Sequence, residues 1–197
     1  MRASALIGLI LTLLSSACTG GGVDSEVSAE AAYLGLDGSL AKALQLGFDG
    51  FNEATSANIP EQGTVGDVGG TLTVSGQVDQ GASNNKGMRL SLSMVDYQDL
   101  PPDDLTPDVT YDTTEGALPL LDLQLRNIPN GTLRGTLTGD FSMTGEIEGV
   151  VTLSLTLAGD IEADPDSEGR VRRVAGSTSV TGTAVSDFGV YDVDIAL

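Results

Sequence analysis

From residue 133 to residue 161 every odd-numbered position is apolar or glycine: Leu133, Gly135, Leu137, Gly139, Phe141, Met143, Gly145, Ile147, Gly149, Val151, Leu153, Leu155, Leu157, Gly159 and Ile161. The even positions are polar except for Val150 and Ala158. A period of two sustained this long belongs to β-structure with one buried face, because successive strand side chains point to opposite sides. As a single strand the segment would span roughly 95 Å at about 3.3 Å per residue, too long for a small domain. It predicts two strands folded back near residues 145–149. Paired residues share a face, so alternation that continues unchanged through the bend requires an odd-length loop or a bulge.

The same period recurs elsewhere. Leu72, Val74, Gly76 and Val78 alternate with Thr, Ser and Gln, and Met88, Leu90, Leu92 and Met94 alternate with Arg89, Ser91 and Ser93. Further strands are expected over 120–126, 171–184 and 190–197, with a turn at 186–189 and another at 127–131, where Asn130 and Gly131 form a turn signal. Residues 96–116 break the pattern with three Pro and six Asp and read as a polar excursion. Ahead of the strands, residues 31–54 are helical in pattern. Leu40, Leu44, Phe48 and Phe51 share a face, Ser39 or Asp37 is a candidate cap, and Gly47 and Gly50 each weaken the helix by up to about 1 kcal/mol. The fold class expected is mainly β: about seven antiparallel strands in a curled sheet or barrel-like sandwich, with one N-terminal helix packed on it. The interior glycines of the long strands fit strong curvature or a close backbone approach.

The N-terminus has a different character. Arg2 is followed by a dozen mostly apolar residues, then Ser15, Ser16, Ala17 and Cys18, the only cysteine of the chain, and then Thr19 and Gly20 to Gly22. One basic residue before a short apolar run has the form of a signal peptide, and the run falls short of the roughly 20 residues a membrane span needs. Small residues immediately before the cysteine resemble the lipobox of bacterial lipoproteins, although Ser15 stands where an aliphatic residue is usual. The resemblance covers residues 1–18. It implies cleavage before Cys18, a diacylglyceryl group on its thiol and attachment to a membrane. The alternative is an unpaired thiol behind an ordinary secretory signal. The domain plan expected is a signal peptide over 1–17, a lipid-anchor leash over 18–30 and one β-rich domain over 31–197. Thr19 is not the Asp that favours inner-membrane retention, so the expected location is the bacterial cell envelope, lipid-anchored at the outer membrane.

Charge and composition narrow the function. With 28 acidic and 9 basic side chains the net charge is −19, and loss of Arg2 with the signal makes it −20. Such a polyanion is repelled by nucleic acid and by anionic lipid. The chain has no His and no Trp, which excludes imidazole-based triads and His metal sites. With Cys18 committed to the anchor, thiol chemistry is excluded too. Ser39 and Lys42 match the S-x-x-K pattern of penicillin-binding serine enzymes, but the S-D-N and K-T-G partners of that pattern are absent. Their plainer roles are a helix cap and a solvated lysine.

Asp164, Asp166 and Glu168 follow the first half of an EF-hand-like Ca²⁺ loop, with Ala175 where the bidentate Glu would stand. The favoured reading is a solvated acidic hairpin loop. Asp99, Asp103, Asp104 and Asp108 form a looser second set, and Glu146 with Glu148 a paired-carboxylate candidate. The expectation is a non-enzymatic, lipid-anchored envelope protein with a structural or interaction role and no cofactor. Its partners would be the membrane, through the lipid on Cys18, and an unidentified envelope protein. The runner-up is a carrier of lipids or other apolar ligands in a curled-sheet cavity.

Overall fold

The structure, a computed structural model, describes residues 21–197. One helix, α1 (Glu26–Glu53), precedes ten strands: β1 (Asn58–Val65), β2 (Gly69–Val78), β3 (Lys86–Gln98), β4 (Val109–Asp112), β5 (Leu120–Arg126), β6 (Gly131–Gly145), β7 (Gly149–Ala163), β8 (Val171–Arg173), β9 (Ser179–Ser186) and β10 (Gly189–Ala196). All ten belong to one sheet, and every strand pairing in it is antiparallel. β4 and β5 lie end to end between β3 and β6. β8 and β9 follow one another along β7 in the same way. The ten strands therefore make eight staves, more than the seven expected.

The expected hairpin is β6–β7. Met143 pairs with Gly149, and the register runs unbroken to Gly131 opposite Ile161. The connection is Glu146, Ile147 and Glu148, a loop of three residues, which keeps the odd positions on one face. Leu133, Leu137, Phe141, Met143, Val151, Leu153, Leu155, Leu157 and Ile161 are all buried there.

The helix begins earlier than its periodicity suggested. Ser25, neither Ser39 nor Asp37, is its N-cap, and its side chain accepts from the Ser28 backbone N–H while Ser28 Oγ accepts from the Ser25 N–H. Residues 26–30, expected to belong to a leash over 18–30, are helical. Between its ends, α1 exposes only Gly38 and Ala41. The helix touches β1, β2 and β3 on one side and β8 and β10 on the other. Since β1 and β10 are the two edges of the sheet, the helix fills the opening of the curl.

The glycines that permit this packing lie on the helix. A Cβ at Gly50 would come within 2.7 Å of Ile59 Cδ1, and one at Gly47 within 3.0 Å of Met88 Sδ. The strand glycines on the odd face answer to their neighbours in the sheet instead, Gly135 to Asp122 and Leu123, Gly139 to Pro119 and Gly159 to Thr178.

Candidate functional site

Cys18, the expected lipid attachment point, lies outside the described residues, as does the signal segment. The described chain starts three residues later, and its first residues are held. Gly21 forms a parallel bridge with Ile147 and accepts from the Glu148 N–H at 3.1 Å. The Val23 carbonyl accepts from Ser186 Oγ at 2.5 Å, and the Val23 side chain is buried. Gly22 lies close against the Phe188 ring, so that a Cβ there would come within 2.3 Å of it and displace it. The chain is thus pinned between the β6–β7 and β9–β10 loops just before α1 begins.

The carboxylate candidates are dispersed into separate tasks. Asp164 Oδ1 accepts from the Asp166 N–H at 3.0 Å, and the Asp164 N–H donates to the Arg170 carbonyl. This closes a tight β7–β8 loop in which Asp166 and Glu168 face solvent. The Asp103 carboxylate accepts from the Leu105 and Thr106 N–H groups at 2.9 and 2.8 Å, which hold it below the usual carboxylate range, the Leu105 bond most strongly. Asp108 donates its N–H to Glu146 Oε2, so Glu146 serves a loop–loop contact and does not pair with Glu148. Among the described residues no cluster of three or more His, Cys, Asp or Glu has metal-holding geometry.

Asp99 has another role, which brings in the S-x-x-K lysine. Lys42 Nζ donates to Asp99 at 2.5 Å and to Asp67 at 2.8 Å, and Tyr97 Oη donates to the second Asp99 oxygen at 2.6 Å. Lys42 is therefore engaged by two carboxylates, with its side chain only partly exposed. Burial alone would lower its pKa, but the hydrogen bonds and charges of Asp67 and Asp99 outweigh that and raise it. Burial first, then the Asp99 contact, pushes the Tyr97 hydroxyl up. Ser39, in mid-helix, donates back to the Leu36 carbonyl, so the Ser and Lys of the motif serve different partners.

A second latch holds the other flank of α1. Arg173 on β8 makes a two-pronged contact with the Asp37 carboxylate at 2.8 and 2.7 Å, and Tyr33 Oη donates to the same group. Arg170 pairs with Asp49 one turn before the helix end. Sequence reasoning missed these latches, because i to i+57 or i+136 pairs leave no local signal.

Between the helix and the odd face the interior is filled. The space bounded by Leu40, Leu44, Leu121, Leu123, Leu133 and Leu157 holds about 10 Å³, room for one water at most. Two open grooves flank β8. One of 490 Å³ runs along Ala41, Leu44, Gln45, Val174, Ala175 and Leu197, and one of 460 Å³ along Phe48, Ile128, Pro129 and Arg170. In the first, Gln45 Nε2 donates to the Val171 carbonyl, while its buried Oε1 has no partner. Compared with protein-family models, with curated proteins and with solved structures, the chain matches none.

Proposed function

We propose that this is a lipid-anchored protein of the bacterial cell envelope, held to the membrane through Cys18, with a structural or interaction role rather than a catalytic one. The observation that carries the reading is the position of Cys18: behind a signal-like apolar run, and three residues ahead of the point where the chain is pinned into the fold. A diacylglyceryl group brings two acyl chains, which stable attachment requires. Ser39, Lys42, Asp99, Asp103 and Glu146 are taken up in structural contacts, which favours a non-catalytic role. The outer membrane remains the proposed location, on the residue after the cysteine.

The test is Cys18→Ala in the native host. The variant is expected to leave the membrane fraction and to lose labelling by a fatty-acid analogue. A variant that still fractionates with membrane would refute the anchor. A second reading, an apolar-ligand carrier, draws on the 490 Å³ groove and the orphaned Gln45 carbonyl oxygen. The closed interior weighs against a cavity inside the sheet.

A further inference from the structure

The exposed large apolar side chains are unevenly placed. The β1–β2, β3–β4, β6–β7 and β9–β10 loops gather at one end of the curled sheet, with the start of α1 and the pinned residues 21–23. Of the eleven large apolar side chains exposed among the described residues, all but Leu120 and Val95, the latter three residues inside the end of β3, lie in or beside these loops or at the helix start. They include Val68, Leu100, Leu105, Val150, Phe188 and Val190, with Leu105 91% and Phe188 65% exposed. The loops at the opposite end, 54–57, 79–85, 127–130 and 164–170, carry none of them, nor does the 174–178 connection between β8 and β9. An exposed apolar concentration of this kind marks a surface that meets something apolar.

We propose that this end of the domain seats on the bilayer surface, with Phe188 and Leu105 entering the headgroup boundary. The inference rests on the anchor reading, and the length of the tether supplies the occupant. From Cys18 to Gly21 there are three residue steps, which reach roughly 11 Å when fully extended. A lipid on Cys18 therefore holds this end, and no other, against the membrane. The ring of Phe188 lies against Gly22, one residue from the start of the described chain.

The four loops contain seven exposed or half-exposed acids, among them Asp67, Asp103, Glu146 and Asp187, and no Lys or Arg. The surface thus selects neutral headgroups, and it seats because the tether keeps it at high effective concentration, not because it binds from solution.

Because the chain has no Trp, a single introduced indole reports its own surroundings. The lipidated full-length protein carrying Phe188→Trp is reconstituted into phosphatidylcholine vesicles with brominated acyl chains, and Ala82→Trp, in the opposite-end 79–85 loop, is the far-end comparison. The emission of the Phe188→Trp protein is expected to shift to the blue and to be quenched several-fold more than that of the Ala82→Trp protein, and the difference is expected to shrink when phosphatidylglycerol is added. Equal quenching at the two positions, or none at position 188 in protein that floats with the vesicles, overturns the seating and leaves the anchor standing. Protein that carries no acyl group and does not float overturns both. A blue shift of the Phe188→Trp protein without vesicles, in a species that sediments as a dimer, overturns the seating too and assigns the face to a second copy.

Discussion

At the scale of single residues, Asp99 is the carboxylate most fully withdrawn from water: its side chain is 2% exposed, against 50% for Asp67 on the same lysine. The two halves of the Lys42 cluster should therefore differ in worth. Removing one partner of a buried pair leaves an uncompensated charge and costs on the order of 3 kcal/mol, whereas an exposed pair contributes about 0–1 kcal/mol. Met resembles Lys in helix propensity and length, so Lys42→Met tests the charge and little else. Because the lysine is itself partly exposed, a loss of about 2–3 kcal/mol is expected in urea unfolding, against under about 1 kcal/mol for Asp67→Asn. Equal losses would mean that Asp99 is held well enough by Tyr97 and by the Asp67 N–H, which donates to it at 3.0 Å. Lys42 and Asp99 stood out in the sequence for other reasons, one as half of a catalytic pattern and the other as a loose cation ligand. Only the fold shows that they neutralise each other, since 57 residues separate them and neither has a local charge partner.

At the scale of elements, the helix glycines give two substitutions with opposite outcomes. In both, Ala adds up to about 1 kcal/mol of helix propensity. At Gly47 the new methyl would meet the Met88 thioether sulfur at 3.0 Å and a Leu90 methyl at 3.2 Å, both flexible ends that can give way. At Gly50 it would meet Ile59 Cβ at 2.8 Å, a branched carbon fixed to the β1 backbone. Overpacking of that kind costs about 1–3 kcal/mol. Gly47→Ala is expected to leave the thermal midpoint unchanged or raise it slightly, and Gly50→Ala to lower it; the same direction for both would show that the helix slides freely over β1.

Strands β6 and β7 could be read because each buries one face and exposes the other, so their composition alternates. The first turns of α1 could not, because the sheet wraps most of the helix and removes the polar stripe that marks a surface helix. Ser28 also stands where a Glu or Gln would have completed the usual capping signature. β1 has a single buried residue, Ile59, and carries Pro60 beside a bulge, as an edge strand can. β4 is four residues inside the Pro- and Asp-rich excursion, paired at Tyr111 with Tyr97. The stretch 171–184, expected as one strand, breaks at 174–178 because β8 and β9 lie on the same partner in two pieces.

At the scale of the whole molecule, the question is whether the curled sheet encloses a ligand. Drug-sized or acyl ligands occupy pockets of about 300–1,000 Å³, and the space under α1 bounded by Leu40, Leu44, Leu121, Leu123, Leu133 and Leu157 offers about 10 Å³. The helix fills the space because both edges of the sheet contact it and because Lys42 and Arg173 fasten it on opposite flanks. Emptying the interior would require breaking both latches and exposing Leu36, Leu40 and Leu44, each worth about 1.5–3 kcal/mol of burial. Protein purified as Cys18→Ser, which carries no covalent lipid, is therefore expected to release no acyl lipid at one molecule per chain when extracted with organic solvent and analysed by mass spectrometry. A stoichiometric lipid would contradict the closed interior as the resting state or place the ligand in the groove beside Ala41, Val174 and Leu197. Ala41→Trp separates those cases: it blocks the groove from the exposed side of the helix without touching the interior, so the lipid would vanish in the second case and persist in the first.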